Sequence, residues 1–350
     1  NLLSKIKKSE KFQEGSYIFK TKDVVKKFMV KLLSLLNEHF PNETILKLVI
    51  TIPERENVIV DLLKNILAEL GIRNDRLVIL GHKQSYMYYA VSQPKELWAN
   101  SVGLFEFDEM GLRYTNLTVD KRTIPYIVGA DVHDLSDIMP YSVLQEKGDV
   151  KYMFLNTANT MLHKKMVTTI YVTGKGFDQR WATDALKELC NGRRVFRGQN
   201  LFNKGAAYAA RMLTDREKTK EFIFLDDDML TSDISIRTYH NAKMHDVVLA
   251  KAGTLWSDID ESIDIIPDNE DEIQITDKNV LTRETRAHIL SLSGFAVRDN
   301  KTTRFTVRIR FADQYTCIVT LKDNGFGEFY PSTNRIWERY IKINGADSKN

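Results

Sequence analysis

The sequence predicts an α/β unit followed by an all-β unit, across 350 residues. Three observations carry this. Up to about residue 220, runs with helical spacing alternate with short continuous apolar runs, the pattern of strands buried between helices. Beyond that point helical spacing stops and alternation takes over: Phe305, Val307, Ile309 and Phe311 face one way, Thr306, Arg308 and Arg310 the other. Between these regimes, residues 170–210 read as a β-branched strand, a turn at Gly174 and Gly176, and an amphipathic helix. A second turn at Gly198 and a small-residue helix, G-A-A-Y-A-A, complete the stretch.

Each element follows from its own residues. Val24, Val25, Phe28, Met29, Leu32, Leu33 and Leu36 have helical spacing, broken at Pro41 and Asn42. Residues 48–52 form a buried strand ending at Pro53. A helix on Val58, Ile59, Leu62, Leu63, Ile66, Leu67 and Leu70 stops at Gly71. Strand 77–80, helix 85–91 and strands 102–107 and 112–119 follow. Residues 120–150, with Pro125, Pro140 and Gly148, read as mixed, and helix 151–166 leads to the strand at Ile170. After residue 220, some eight short strands between turn signals predict an antiparallel sandwich or barrel.

Composition narrows the function classes. Hydrophobic residues are 43% and charged residues 28%, ordinary for a globular protein. A formal charge of +3 gives no basic face for nucleic acid. No apolar run is long enough to span a bilayer, and no signal peptide is visible, so no membrane partner is expected. Cys190 and Cys317 lack a C-x-x-C context and read as small buried apolar residues in a reducing cytoplasm.

The strand, glycine turn and helix at 171–210 resemble the nucleoside end of the actin-like ATPase superfamily. Further stretches resemble the seventy-kilodalton heat-shock chaperones in collinear order: I-T-I-P at 50–53, A-E-L-G-I at 68–72, the helix near residues 80–91, and the strand pair at 103–119. E-F-I-F-L-D-D-D at 221–228 is similar to their interdomain linker. R-I-R-F-A-D and C-I-V-T-L-K-D-N-G-F-G-E are similar to their substrate-binding β-domain. The resemblance implies an actin-like (ribonuclease-H-like) ATPase fold, reduced, over 1–220, followed by an all-β sandwich over 221–345. Lobe I would be about 1–100 and lobe II about 101–220. The short interval from Gly103 to Gly174 implies a lobe II without its upper subdomain.

The departures fall on the catalytic parts. The family's first phosphate loop, D-x-G-T/S-T, has no counterpart upstream of residue 50; it either precedes Asn1 or was lost. Where the second loop carries glycines, this chain reads Glu106, Phe107, Asp108, Glu109, Met110, Gly111. Glycines let backbone N–H groups approach phosphate. Asp108 and Glu109 would instead aim carboxylates at a polyanion, and like charges about 4 Å apart repel by roughly 1 kcal/mol in water and more when buried. His82 and Lys83 replace the family's catalytic Glu. Gly174, Lys175, Gly176 and Arg180 either keep a nucleotide contact or persist for strand–helix packing. Arg193, Arg194 and Arg197 read as a solvated turn. His133, between Asp131 and Asp134, reads as a loop residue, and Asp226–Asp228 as a solvated linker. In the β-unit, Trp256 either lines a peptide groove or plugs the end of the sandwich.

The expected function is a chaperone-like protein-interaction protein with a non-hydrolysing ATPase domain. It requires no cofactor, with ATP or ADP as the possible ligand and a protein or extended peptide as partner. A working ATPase whose first loop precedes Asn1 is the alternative, and an actin-like filament protein the second.

Overall fold

The computed structural model of the protein describes residues 6, 11–14, 17–145, 148–215, 218, 220–240, 242–296 and 298–343. Residues 1–5 and 344–345, at the ends of the expected domains, lie outside the described residues. The chain divides into two compact units, Asn1–Phe222 and Ile223–Asn350.

The first unit opens on a hairpin of β1 (Lys11–Glu14) and β2 (Tyr17–Lys20), which runs straight into α1 (Thr21–His39). Next come β3 (Leu48–Ile52), α2 (Asn57–Glu69), β4 (Leu77–Gly81) and α3 (His82–Val91). β3 and β4 pair in parallel, from Leu48 opposite Leu77 to Ile52 opposite Gly81. Ile59, Leu63, Ile66 and Leu67 recur at helical spacing on α2, which buries them with Val25 and Ile79.

The second half of this unit contains β5 (Ser101–Asp108), β6 (Gly111–Asp120), β7 (Tyr126–Asp134), α4 (Val150–Leu162), β8 (Val167–Thr173), α5 (Arg180–Leu189), β9 (Arg194–Arg197) and α6 (Leu201–Thr214). β5, β6 and β7 form an antiparallel meander, while β8 pairs parallel to β5 and β9 parallel to β8. The sheet runs β7-β6-β5-β8-β9, and the unit ends at Phe222, the first residue of β10 (Phe222–Leu225). Phe105, Phe107, Ile170 and Val172 pack with Phe154 of α4 and Ala182 and Ala185 of α5. On α3, the buried Tyr86 hydroxyl donates to the Val102 carbonyl of β5 at 3.1 Å. Among the described residues, only a 3-10 turn at Tyr141–Leu144 stands between β7 and α4, and another at Lys175–Asp178 between β8 and α5.

The second unit is built of β11 (Ser232–His240), β12 (Lys243–Ala250), β13 (Asp260–Ile265), β14 (Glu272–Asn279), β15 (Thr285–Ser291), β16 (Phe305–Asp313), β17 (Thr316–Asp323) and β18 (Ile336–Lys342). They form two four-stranded antiparallel sheets, β12-β11-β14-β15 and β13-β16-β17-β18. Ile234, Ile236, Ile275 and Leu290 of the first share one core with Val307, Ile309, Val319, Leu321 and Ile341 of the second.

Four local expectations are corrected. Residues 126–134 are a strand, so His133 is no loop residue: it faces Tyr114 across the β6–β7 pair, with the rings stacked 6.1 Å apart. Residues 194–197, expected as a turn, form an edge strand. Residues 222–225, expected as linker, also form a strand. Cys190 is exposed, because it caps the end of α5 beyond the helix's buried face; Cys317 is buried. No helix among the described residues is long and apolar enough to cross a membrane.

Candidate functional site

The chemistry-bearing side chains of the first unit converge where α3 begins and β5 ends. β4 ends in Gly81, whose N–H donates to Gln84 Oε1 at 3.2 Å, and the chain turns directly into α3. This puts His82 on the first turn of α3, its ring stacked on Phe202 of α6 at 3.9 Å and 9°. His82 Nδ1 is buried without a hydrogen bond and lies 3.8 Å from Glu106 Oε1. Glu106, near the end of β5, also faces Arg113 of β6 at 3.2 Å, and Arg113 reaches Asp108 at 3.4 Å. Arg113 Nε is buried without a hydrogen bond.

The hairpin joining β5 and β6 sets this arrangement. Glu106 lies opposite Arg113 in the register, so acid and base meet on one face. Asp108 accepts from the Met110 N–H at 2.9 Å and tightens the turn. Burial pushes the Asp108 carboxyl above its usual range, and the Glu106 charge adds to this. The Met110 N–H and the Arg113 guanidinium pull the other way. Glu109 swings outward to an exposed ion pair with Lys175 at 3.5 Å. The half-buried carboxylates are therefore Glu106 and Asp108, not the expected Asp108 and Glu109. Two carboxylates against one guanidinium leave the cluster poor in positive charge, an unfavourable place for a polyphosphate.

The glycine turn sits beside this cluster. Gly174 has φ +102, and a Cβ there would fall 2.2 Å from the Phe107 carbonyl oxygen. A Cβ on Gly176 would fall 2.4 Å from the Phe107 ring. Both glycines are thus needed for the close approach of the turn to β5. Lys175 is exposed in its pair with Glu109, and Arg180 is exposed at the first residue of α5. Arg197 pairs with Asp178. Trp256 opens a 3-10 turn, Trp256–Asp258, half-buried against the core of the second unit, and its backbone N–H donates to the Asp228 carbonyl at 3.2 Å. Among the described residues, no three His, Cys, Asp or Glu side chains converge as metal ligands.

Two of these partners escape the sequence. Glu106 lies far from His82 along the chain, and only the meeting of β5 with the start of α3 joins them. Arg113 is one of many arginines; its signal is a register position opposite Glu106, legible once the hairpin is drawn.

An α/β unit with a charged mouth at a helix start, followed by an all-β unit, defines the class of protein. The chain belongs to the family described as "Family of unknown function (DUF5716) C-terminal", which matches residues 1–227. A second match, "Domain of unknown function (DUF8552)", covers residues 229–343. No curated protein matches the chain.

Proposed function

We propose that the first unit is a reduced actin-like (ribonuclease-H-like) ATPase frame that does not hydrolyse ATP. The protein then acts, like the seventy-kilodalton chaperones it resembles, by binding a protein or extended peptide through the two-sheet unit. The observation that carries this is the Arg113-bridged pair Glu106 and Asp108, which stands where a phosphate cradle needs bare backbone N–H groups. The meander followed by two parallel strands, with α3 and α6 meeting at His82 and Phe202, supports the frame. The tight fit of Gly174 and Gly176 to Phe107 supports a packing role for the turn. No cofactor is required on this reading, and a cytoplasmic location accords with two unpaired cysteines. A working ATPase is the second reading, favoured by the unpartnered His82 Nδ1 close to Glu106, a base beside an acid.

Two measurements test the proposal. Steady-state phosphate release with Mg²⁺ and ATP is expected to match a protein-free blank. Turnover that vanishes in Glu106→Gln would establish the second reading instead. In isothermal titration, unstructured apolar peptides are expected to bind the 350-residue chain in the micromolar range, about −8 kcal/mol. Trp256→Ala is expected to weaken that binding by more than about 1 kcal/mol. Binding indifferent to Trp256 would remove the peptide groove from the second unit.

A further inference from the structure

We propose that the edge of the first unit from which β8 and β9 start holds a binding site for a small phosphate monoester, such as a sugar phosphate. Glu106 and Gly174 stand at the opposite edge, where β5 and β8 end, and the site does not rest on the function proposed above.

The sequence places cations in the two loops that lead into these strands. H-K-K-M, residues 163–166, precedes β8, and N-G-R-R, residues 191–194, runs into β9. The two strands pair in parallel, with Thr169 opposite Arg194, so both loops come to the same edge of the sheet. Two observations bring the charges onto one spot. The Lys165 ammonium lies 5.6 Å from the centre of the Tyr114 ring. The Arg193 charge acts on the same tyrosine, pulling its hydroxyl pKa down against the larger rise that burial causes. Lys165 and Arg193, from different loops, thus meet at one phenol.

Helix ends account for only part of this charge. α4 stops at Leu162 and α5 at Leu189, each just ahead of one of the loops. A helix C-terminus is worth about half a negative charge, so the two together offset about one cation. The neighbouring acids are already paired: Glu188 with Lys151, and Asp184 with Lys187 at 3.6 Å. Among the described residues, Lys164, Lys165, Arg193 and Arg194 have no carboxylate partner. An excess of about three positive charges is left at this edge.

Arg193 also lines a cavity of about 600 Å³, together with Asn159 and Leu155 of α4 and with Leu189 and Asn191 at the end of α5. Sites for small molecules commonly measure about 300–1,000 Å³. A guanidinium forks onto two phosphate oxygens, and a lysine adds a point charge. The two amides donate and accept, which suits the hydroxyls of a sugar. A phosphate monoester carries close to two negative charges at neutral pH, so it answers the excess better than a single carboxylate does. A nucleic acid would need a cationic track longer than these two loops.

The probe is glucose 6-phosphate, titrated by calorimetry into the 350-residue chain, with glucose and sulfate as controls. Saturable binding with a Kd of about 1 mM or lower is expected, and none for glucose. Cys190 gives a second readout, because it lines the same cavity and is exposed, whereas Cys317 is buried. Its alkylation by iodoacetamide is expected to slow at least about fivefold at saturating probe. Arg193→Gln is expected to weaken binding at least about tenfold with an unchanged melting curve. Lys165→Gln, at an exposed side chain, is expected to weaken it at least about threefold, and decides alone if Arg193→Gln melts lower. Absence of saturable binding up to about 10 mM, binding unmoved by Lys165→Gln, or unchanged alkylation overturns the proposal. Glucose or sulfate binding as tightly as the probe overturns it too. So does a phosphoserine peptide that binds more than about tenfold tighter than glucose 6-phosphate, because the ligand is then a polypeptide.

Discussion

Gly205→Ala is expected to destabilise the first unit by about 3 kcal/mol or more. The sign is the test. Inside a helix, exchanging glycine for alanine ordinarily stabilises by about 1 kcal/mol, because glycine gives up more backbone freedom on folding. Gly205 lies within α6, Leu201–Thr214, where that rule predicts a gain. The packing predicts the opposite: a Cβ there would fall 1.9 Å from the Ser85 carbonyl oxygen and 2.7 Å from its carbonyl carbon. These are backbone atoms of α3, so no rotamer change relieves the clash, and the two helices must move apart. The His82–Phe202 stack and the Tyr89–Tyr208 ring contact at 6.2 Å span the same helix pair and would loosen with it. Urea unfolding of wild type and variant, followed by near-ultraviolet circular dichroism of the tyrosines, gives the difference directly. A neutral or stabilised variant would show that α3 and α6 do not approach this closely.

The same two helices mark the limit of what the sequence discloses. The small-residue run G-A-A-Y-A-A announces a close approach of some kind, but not the helix approached; Ser85 is a single serine in an unremarkable stretch. Strands β3 and β4 and helix α2 are legible because each buries a run whose period is complete within itself. β7 is not. Its sequence, Y-I-V-G-A-D-V-H-D, carries Gly129 and ends in charged residues, and it becomes a strand because β6 pairs along its whole length. Tertiary pairing there overrides a weak local preference.

The charged mouth is partly legible for the same reason. The carboxylates and the lack of glycine at residues 106–110 are visible in the sequence, whereas the bridging role of Arg113 depends on hairpin register. At the glycine turn, sequence reasoning leaves nucleotide contact and packing open, since both need a bare Cα. The distances to Phe107 supply a sufficient packing reason for Gly174 and Gly176. Lys175 and Arg180, both exposed, gain no such structural reason. They remain the residues through which a nucleotide contact at this turn is best tested.

Arg298→Ala is expected to cost the second unit about 3–5 kcal/mol, the usual penalty for leaving one partner of a buried ion pair alone. Asp323 ends β17 and is fully buried. Arg298 forks onto it, Nη1 to Oδ1 and Nη2 to Oδ2, each at 2.9 Å. The same guanidinium donates to the Thr303 hydroxyl at 3.2 Å and the Pro331 carbonyl at 2.9 Å. Asp323 also accepts from the Gly325 N–H at 2.8 Å and from the Thr333 hydroxyl at 2.6 Å. The pair thus ties the segment before β16 to the turn between β17 and β18. Burial alone would raise the Asp323 carboxyl, but Arg298, Thr333 and the backbone donors together hold it far below the usual range. The sign of the pH dependence follows. A carboxyl whose folded pKa lies below its unfolded value of about 3.9 contributes its full stabilisation above that value and loses it as pH falls further. Wild type is therefore expected to lose stability below about pH 4 more steeply than Asp323→Asn, which has no proton to take up there. Thermal melts from pH 7 down to pH 2 measure both effects: Arg298→Ala should melt at least about 10 °C lower at neutral pH. Equal melting of Arg298→Ala and wild type at neutral pH would mean that this ion pair does not hold the turn.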